Sequence, residues 1–157
     1  MIRGGEMEEL VLKDVINPDA VAVDVDAKNK EEAFQYATEL LYRSGVLTSM
    51  EDFKKDLYLR EAEGQTGIGE GVAIPHGKSK YVSKTCIAIL KLKQPIEWET
   101  ADGKPVSVLV MFAVNEADKS KYFLKLMAQV ARRLAQDGVC KRLLSCQTSQ
   151  ELIDTLS

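Results

Sequence analysis

The chain predicts a single α/β domain with one mixed β-sheet flanked by helices on both faces. Thr85-Cys86-Ile87-Ala88-Ile89-Leu90 and Val106-Ser107-Val108-Leu109-Val110-Met111-Phe112 are near-continuous apolar runs, the signature of strands covered on both faces. Other segments repeat apolar residues at helical spacing, so helices are available to cover that sheet. A length of 157 residues with 45% apolar side chains is enough for one core and too little for two domains.

The elements follow in order. Residues 1–9 carry Gly4-Gly5 and acids without periodicity and read as a disordered lead-in, with Met7 an alternative start; the domain proper occupies 10–157. Val21-Ala22-Val23-Asp24-Val25 alternates with period two and predicts a strand. Asn29 caps a helix from Lys30 to Ser44 that places Ala33, Ala37, Leu40 and Leu41 on one face and stops at Gly45. After the Ser49 cap a second helix turns Phe53 and Leu57 inward, passes through Arg60 and Glu61 and ends near Gly64. Lys93 to Pro105 contains Pro95, Asp102-Gly103 and Pro105 and reads as a loop with room for one short edge strand, against which Trp98 packs. Leu124, Met127, Ala128, Ala131, Leu134 and Ala135 define the strongest helix, Lys119 to Gln136, which Asp137-Gly138 breaks. A turn or two around Cys140 to Leu144 and a helix from Ser149 to Leu156 close the chain.

Composition excludes several classes. The longest apolar stretch, Val106 to Val114, falls far short of the ~20 residues that span a bilayer. The acidic start lacks a secretory signal, so a cytoplasmic location is expected without membrane insertion. A net charge of −3 with scattered Lys and Arg provides no stripe to neutralise phosphates, which argues against nucleic acid and for protein partners. Cys86, Cys140 and Cys146 form no C-x-x-C pair and read as buried thiols of a reducing compartment.

His76 is the only histidine, at the end of Gly71-Val72-Ala73-Ile74-Pro75, where it is expected on a rigid turn. Taken alone, a solitary histidine is a surface or satisfied core residue. It is also a group that is largely neutral and nucleophilic near pH 7 and able to take and surrender a phosphoryl group. Glycines 64, 67, 69, 71 and 77 surround it, a density that lets backbone N–H groups converge on an anion such as phosphate. A P-loop is excluded because position 72 is Val72, a dinucleotide fingerprint because position 70 is Glu70. No G-x-S-x-G elbow is present, and one histidine with a distant Cys86 makes no zinc centre, so neither metal nor cofactor is expected.

Glu61, Ile68-Gly69 and Val72-Ala73-Ile74-Pro75-His76-Gly77, with Arg60, Thr66 and Gly67 beside them, resemble the phosphorylation-site signature of the fructose/mannitol-type enzyme IIA proteins. These belong to the bacterial phosphoenolpyruvate:sugar phosphotransferase system and include the nitrogen-regulatory enzyme IIA. The resemblance covers about residues 10 to 156. It implies a mixed sheet flanked by helices and a histidine phosphorylated by HPr or its nitrogen-branch counterpart. The phosphoryl group then passes to a cysteine of an enzyme IIB.

Carried over, His76 is the phosphoryl acceptor and donor, and Arg60 resembles the arginine that neutralises phosphate charge. Glu61 has either a site role or a surface ion pair with Arg60 or Lys80, and Thr66 either donates to phosphate or caps the loop. Lys78 reads as a solvated charge. One departure stands out: the family usually has a second histidine at the start of the long helix, where this chain reads Tyr122-Phe123-Leu124 and Phe123 takes its place. Tyr122 is the candidate substitute. The resemblance implies a carrier for sugar uptake first, with a phosphorylation-dependent regulatory binding protein as the alternative, towards which Val130-Ala131-Arg132-Arg133-Leu134-Ala135 points. A domain that only binds is the third reading.

Overall fold

A computed structural model describes residues 11–118 and 120–157. The expected lead-in at residues 1–9 lies outside the described residues. In chain order the elements are α1 (Leu12–Val15), β1 (Ile16–Val25), α2 (Lys30–Arg43), α3 (Met50–Glu61), β2 (Gly67–Gly69), β3 (Val72–Ala73), β4 (His76–Ser79), β5 (Cys86–Ile96), β6 (Val106–Asn115), α4 (Ser120–Ala135), α5 (Val139–Ser145) and α6 (Ser149–Leu156). The six strands form one mixed sheet in the order β1-β5-β6-β3-β2, with β4 also paired to β6. β1 runs parallel to β5, β5 antiparallel to β6, and β3 and β4 both parallel to β6.

Period-two alternation along β5 and β6 splits the interior into two cores. Ala88, Leu90, Leu109 and Met111 face Phe34, Leu41, Phe53 and Leu57 of α2 and α3. Ile87, Ile89, Val108, Val110 and Phe112 face Leu126, Val130, Leu143 and Leu152 of α4 to α6. Helices therefore cover both faces, as the apolar runs require. Both N-caps hold: the Asn29 side chain accepts from the Glu32 amide, and the Ser49 side chain from the Asp52 amide. All three cysteines are free and buried, and burial pushes the Cys86 thiol up to about 11.

Four local readings change. The first strand begins at Ile16, five residues ahead of the alternating run, because its register with β5 is irregular between Ile16 and Val21 and the polar Asn17-Pro18-Asp19 stretch spans that irregularity. β5 continues to Ile96 through the expected loop and pairs Ile96 with Val106; Pro95 is tolerated where the register breaks between Lys91 and Ile96. The glycine-rich segment is three short strands rather than a loop. On α4 the core face is Leu126, Val130 and Leu134 with Phe123 and Met127 packed beside them, while Leu124 is 64% exposed and Ala128, Ala131 and Ala135 are exposed. Two neighbouring stripes of this helix are apolar, and the one with the bulk to fill the space over β6 is buried.

At Gly77 α3 packs directly onto the sheet. A Cβ there would sit 3.1 Å from the Phe53 ring and 3.3 Å from the Leu57 backbone. Gly77→Ala should therefore lower stability by about 1–3 kcal/mol, the usual consequence of overpacking, measured as a shift of the urea midpoint at unchanged slope.

Candidate functional site

The site is built by strand register. β3 and β4 lie along β6 in one continuous register, from Val72 opposite Val108 to Ser79 opposite Asn115, with Ile74-Pro75 between them. Pro75 lacks an N–H, but its carbonyl accepts from the Phe112 amide at 2.9 Å, so the ladder to β6 is kept. Alternation then places Val72, Ile74 and His76 on the face covered by α4 to α6, and Ala73 and Gly77 on the face covered by α3. His76 is thus the first residue of a strand, not a residue on a turn.

The half-buried imidazole is held by its Nδ1, 3.2 Å from the Ile74 carbonyl oxygen. A carbonyl only accepts, so the neutral ring carries its proton on Nδ1 and leaves the Nε2 lone pair free. Burial pushes the pKa below the ordinary histidine value; the Ile74 carbonyl opposes this, Arg60 adds to it, and Glu61 and Glu63 oppose it more weakly. Phe112 and Phe123 both pack against the ring. Phe123 therefore stands beside the histidine, while Tyr122 lines a separate cleft with Thr85, Asn115 and Asp118.

Arg60, in the last turn of α3, donates through Nη1 to the Gly64 carbonyl at 3.1 Å, which ties its guanidinium to the segment leading into the hairpin. Glu61 and Thr66 are brought together with each other. The Thr66 hydroxyl lies 3.0 Å from both Glu61 oxygens and accepts from Trp98 Nε1 at 3.2 Å, so its one proton and its acceptor capacity are used internally. Glu61 is nearly buried and pairs with Lys30 at 2.9 Å, not with Arg60 or Lys80. Lys30 also pairs with Glu99 and sits 4.6 Å from the centroid of the Trp98 ring. Sequence reading missed Lys30, Trp98 and Glu99 as neighbours of the site, because they arrive from two distant segments, the start of α2 and the stretch after β5, and no local spacing announces them.

The glycines serve geometry more than anion binding. Glu70 and Gly71 both have positive φ, at 56° and 81°, and close a two-residue hairpin between β2 and β3. The Glu70 amide is taken by the Asp102 carboxylate at 2.9 Å and the Ile74 amide by the Thr66 carbonyl at 2.9 Å. Gly67 lies so close to Thr100 and the Glu99 carbonyl that any side chain would overlap them.

Fold and site together define a small α/β domain with one half-buried imidazole at a strand start, within electrostatic reach of an arginine. Residues 14–157 match the family described as phosphoenolpyruvate-dependent sugar phosphotransferase system, EIIA 2, and the chain belongs to that phosphocarrier family. It is 34% identical over 149 residues to a nitrogen regulatory protein of Klebsiella oxytoca, covering 94% of this chain and 91% of that protein. It is 33% identical over 139 residues to the PTS system 2-O-alpha-mannosyl-D-glycerate-specific EIIABC component of Escherichia coli, covering 88% of this chain but 21% of that much longer protein. The crystal structure of nitrogen regulatory protein IIA-Ntr from Neisseria meningitidis superposes with a TM-score of 0.84 at 27% identity, covering 92% of this chain and 98% of that one. Sugar-specific and nitrogen-regulatory relatives are thus both present. Among the described residues no helix is long and apolar enough to cross a membrane.

Two measurements check this geometry. Because His76 is depressed, the folded state binds fewer protons than the unfolded chain between its own pKa and 6.5, and its contribution to stability is present above pH 6.5 and lost as pH falls through the folded value. An NMR titration of the single imidazole should give a midpoint below 6.5 with the proton on Nδ1 in the neutral form. Thr66→Val should strand the Trp98 indole N–H and one face of Glu61, lowering stability by about 1–3 kcal/mol, with a shifted emission from the only tryptophan.

Proposed function

We propose that this protein is a phosphocarrier that takes a phosphoryl group from an HPr-type donor on Nε2 of His76 and passes it to a cysteine thiolate of an enzyme IIB. The observation that carries the reading is the hydrogen bond from Nδ1 to the Ile74 carbonyl, which leaves Nε2 as the nucleophile. In the first step the Nε2 lone pair attacks phosphorus while the donor's N–P bond breaks. The ring becomes a phosphoimidazolium whose Nδ1–H remains on the Ile74 carbonyl, and that contact strengthens as charge develops. In the second step the thiolate attacks, the His76 N–P bond breaks, and the neutral imidazole returns. Arg60 supplies positive charge to the phosphoryl oxygens, a role suited to a transfer that depends on electrostatics. Glu61 and Thr66 act by holding α3 and the hairpin in place, since their polar atoms are engaged with Lys30 and Trp98.

The destination expected first is an enzyme IIB for fructose/mannitol-type sugar uptake, acting in the cytoplasm. The second reading, a regulatory protein whose binding depends on the state of His76, is favoured by the Klebsiella and Neisseria proteins, which match over nearly their whole length and carry nitrogen-regulatory names.

Incubation with phosphoenolpyruvate, enzyme I and HPr, or the nitrogen-branch phosphocarrier, should add one phosphoryl group, read by intact mass at neutral to alkaline pH. His76→Ala should take none. Arg60→Ala should slow uptake about ten- to a hundredfold, the worth of a charge-assisted contact. A wild-type protein that accepts from neither donor sinks the phosphocarrier reading. Onward transfer to a purified enzyme IIB then separates uptake from regulation.

A further inference from the structure

The His76 imidazole lies in a wedge of two phenyl rings from different elements. Phe123, in the first turn of α4, leans on it with centroids 5.5 Å apart and planes tilted by 46°. Phe112, its register partner on β6, meets it edge-on at 6.4 Å. The two phenyls brace each other at 6.4 Å and 88°, so the three rings close into a triangle. Swinging the imidazole out of its plane would break both ring contacts and draw Nδ1 away from the Ile74 carbonyl.

We propose that Phe123 is a positioning residue for transfer at His76: its ring holds the imidazole in the orientation that keeps Nδ1 on the Ile74 carbonyl and Nε2 free. This rests on the phosphocarrier reading above. Phe112 is fixed by the sheet whatever α4 does, whereas Phe123 is the one wall of the wedge that α4 provides. The charged groups that act on His76 are Arg60, Glu61 and Glu63, all from α3 and the segment after it. A phenyl ring on the α4 side adds neither a charge nor a conventional hydrogen-bond donor. Among the described residues, the charges that act on His76 thus come from the α3 side, and the ring that leans on it from the α4 side is that of Phe123.

The test compares wild type with Phe123→Leu, which keeps apolar bulk without a ring, and with Phe123→Tyr, which restores the ring. Phe123→Met serves as the second ringless variant should the leucine form not fold, judged by circular dichroism. In ¹⁵N-labelled protein at a pH where His76 is neutral, wild type and Phe123→Tyr should show the Nδ1–H tautomer alone, and the ringless variants a tautomer mixture. Phosphoramidate, a small phosphoryl donor that needs no docking surface, should phosphorylate the ringless variants about two- to tenfold more slowly, the worth of one aromatic pair. Ringless variants with a single tautomer and the wild-type rate would overturn the proposal. If wild type takes no phosphoryl group from any donor, the phosphocarrier reading fails by itself, and the tautomer comparison still decides whether Phe123 orients the ring.

Discussion

Everything at this site depends on the pairing of residues 72–79 with β6. That register is unbroken across Ile74-Pro75, and it decides which side chains face which core. A shift by one residue would send His76 against α3, where the close approach of Phe53 and Leu57 leaves no room for a side chain, and would put Gly77 in the wedge of Phe112 and Phe123. The alternation that makes Gly77 necessary on one face makes His76 available on the other. A steric requirement of packing and the placement of a nucleophile are therefore the same constraint.

A polar knot holds α3 against that strand pair. Lys30 begins α2, Glu61 ends α3, Thr66 leads into β2, and Trp98 follows β5, yet their side chains meet in one buried network. Burial alone would push the Lys30 ammonium towards its neutral form; its bonds to Glu61 and Glu99 outweigh that and raise its pKa. Because Arg60 is adjacent to Glu61, the knot also fixes the start of the segment that Arg60 ties down through Gly64. Removing one member leaves another buried polar group without its partner, which is dearer than the net value of any single bond.

The fold was readable because its signals were long: two apolar strands, two capped helices, and the α6 segment whose Thr148 and Glu151 close a capping box. His76 stands out as the single histidine in a distinctive apolar run, whereas Arg60, one of many charged residues along the chain, is singled out only through the family resemblance. Short features were not. Strands of two to four residues such as β2, β3 and β4 have no periodicity to detect, and only their pairing to β6 makes them strands. The face of α4 was misjudged because alanine at 128, 131 and 135 satisfies an apolar pattern without the volume to be selected for burial. Thr66 and Glu61 stand out in the sequence and lie together in the structure, but their partners Lys30 and Trp98 lie about thirty residues away in either direction, beyond any local rule.

In the proposed cycle, the placement of His76 at the start of a strand, half-buried and not enclosed, would reconcile two opposed demands on a group that both receives and gives. Full burial would keep the imidazole neutral and rigid but deny a protein partner the in-line approach that phosphoryl transfer needs. Full exposure would admit the partner but let the ring rotate and take up a proton near neutral pH, which removes the lone pair. Here the two nitrogens divide the work: Nδ1 is committed inward to a backbone carbonyl that cannot itself be titrated or rotated away, and Nε2 is left for chemistry. In the proposed cycle the same carbonyl that fixes the neutral tautomer would stabilise the cationic ring once phosphorus is bound, so the hydrogen bond would serve both the accepting and the donating state. Arg60 is held by an exposed contact to the Gly64 carbonyl, from which the proposed cycle would have it supply charge to the phosphoryl oxygens.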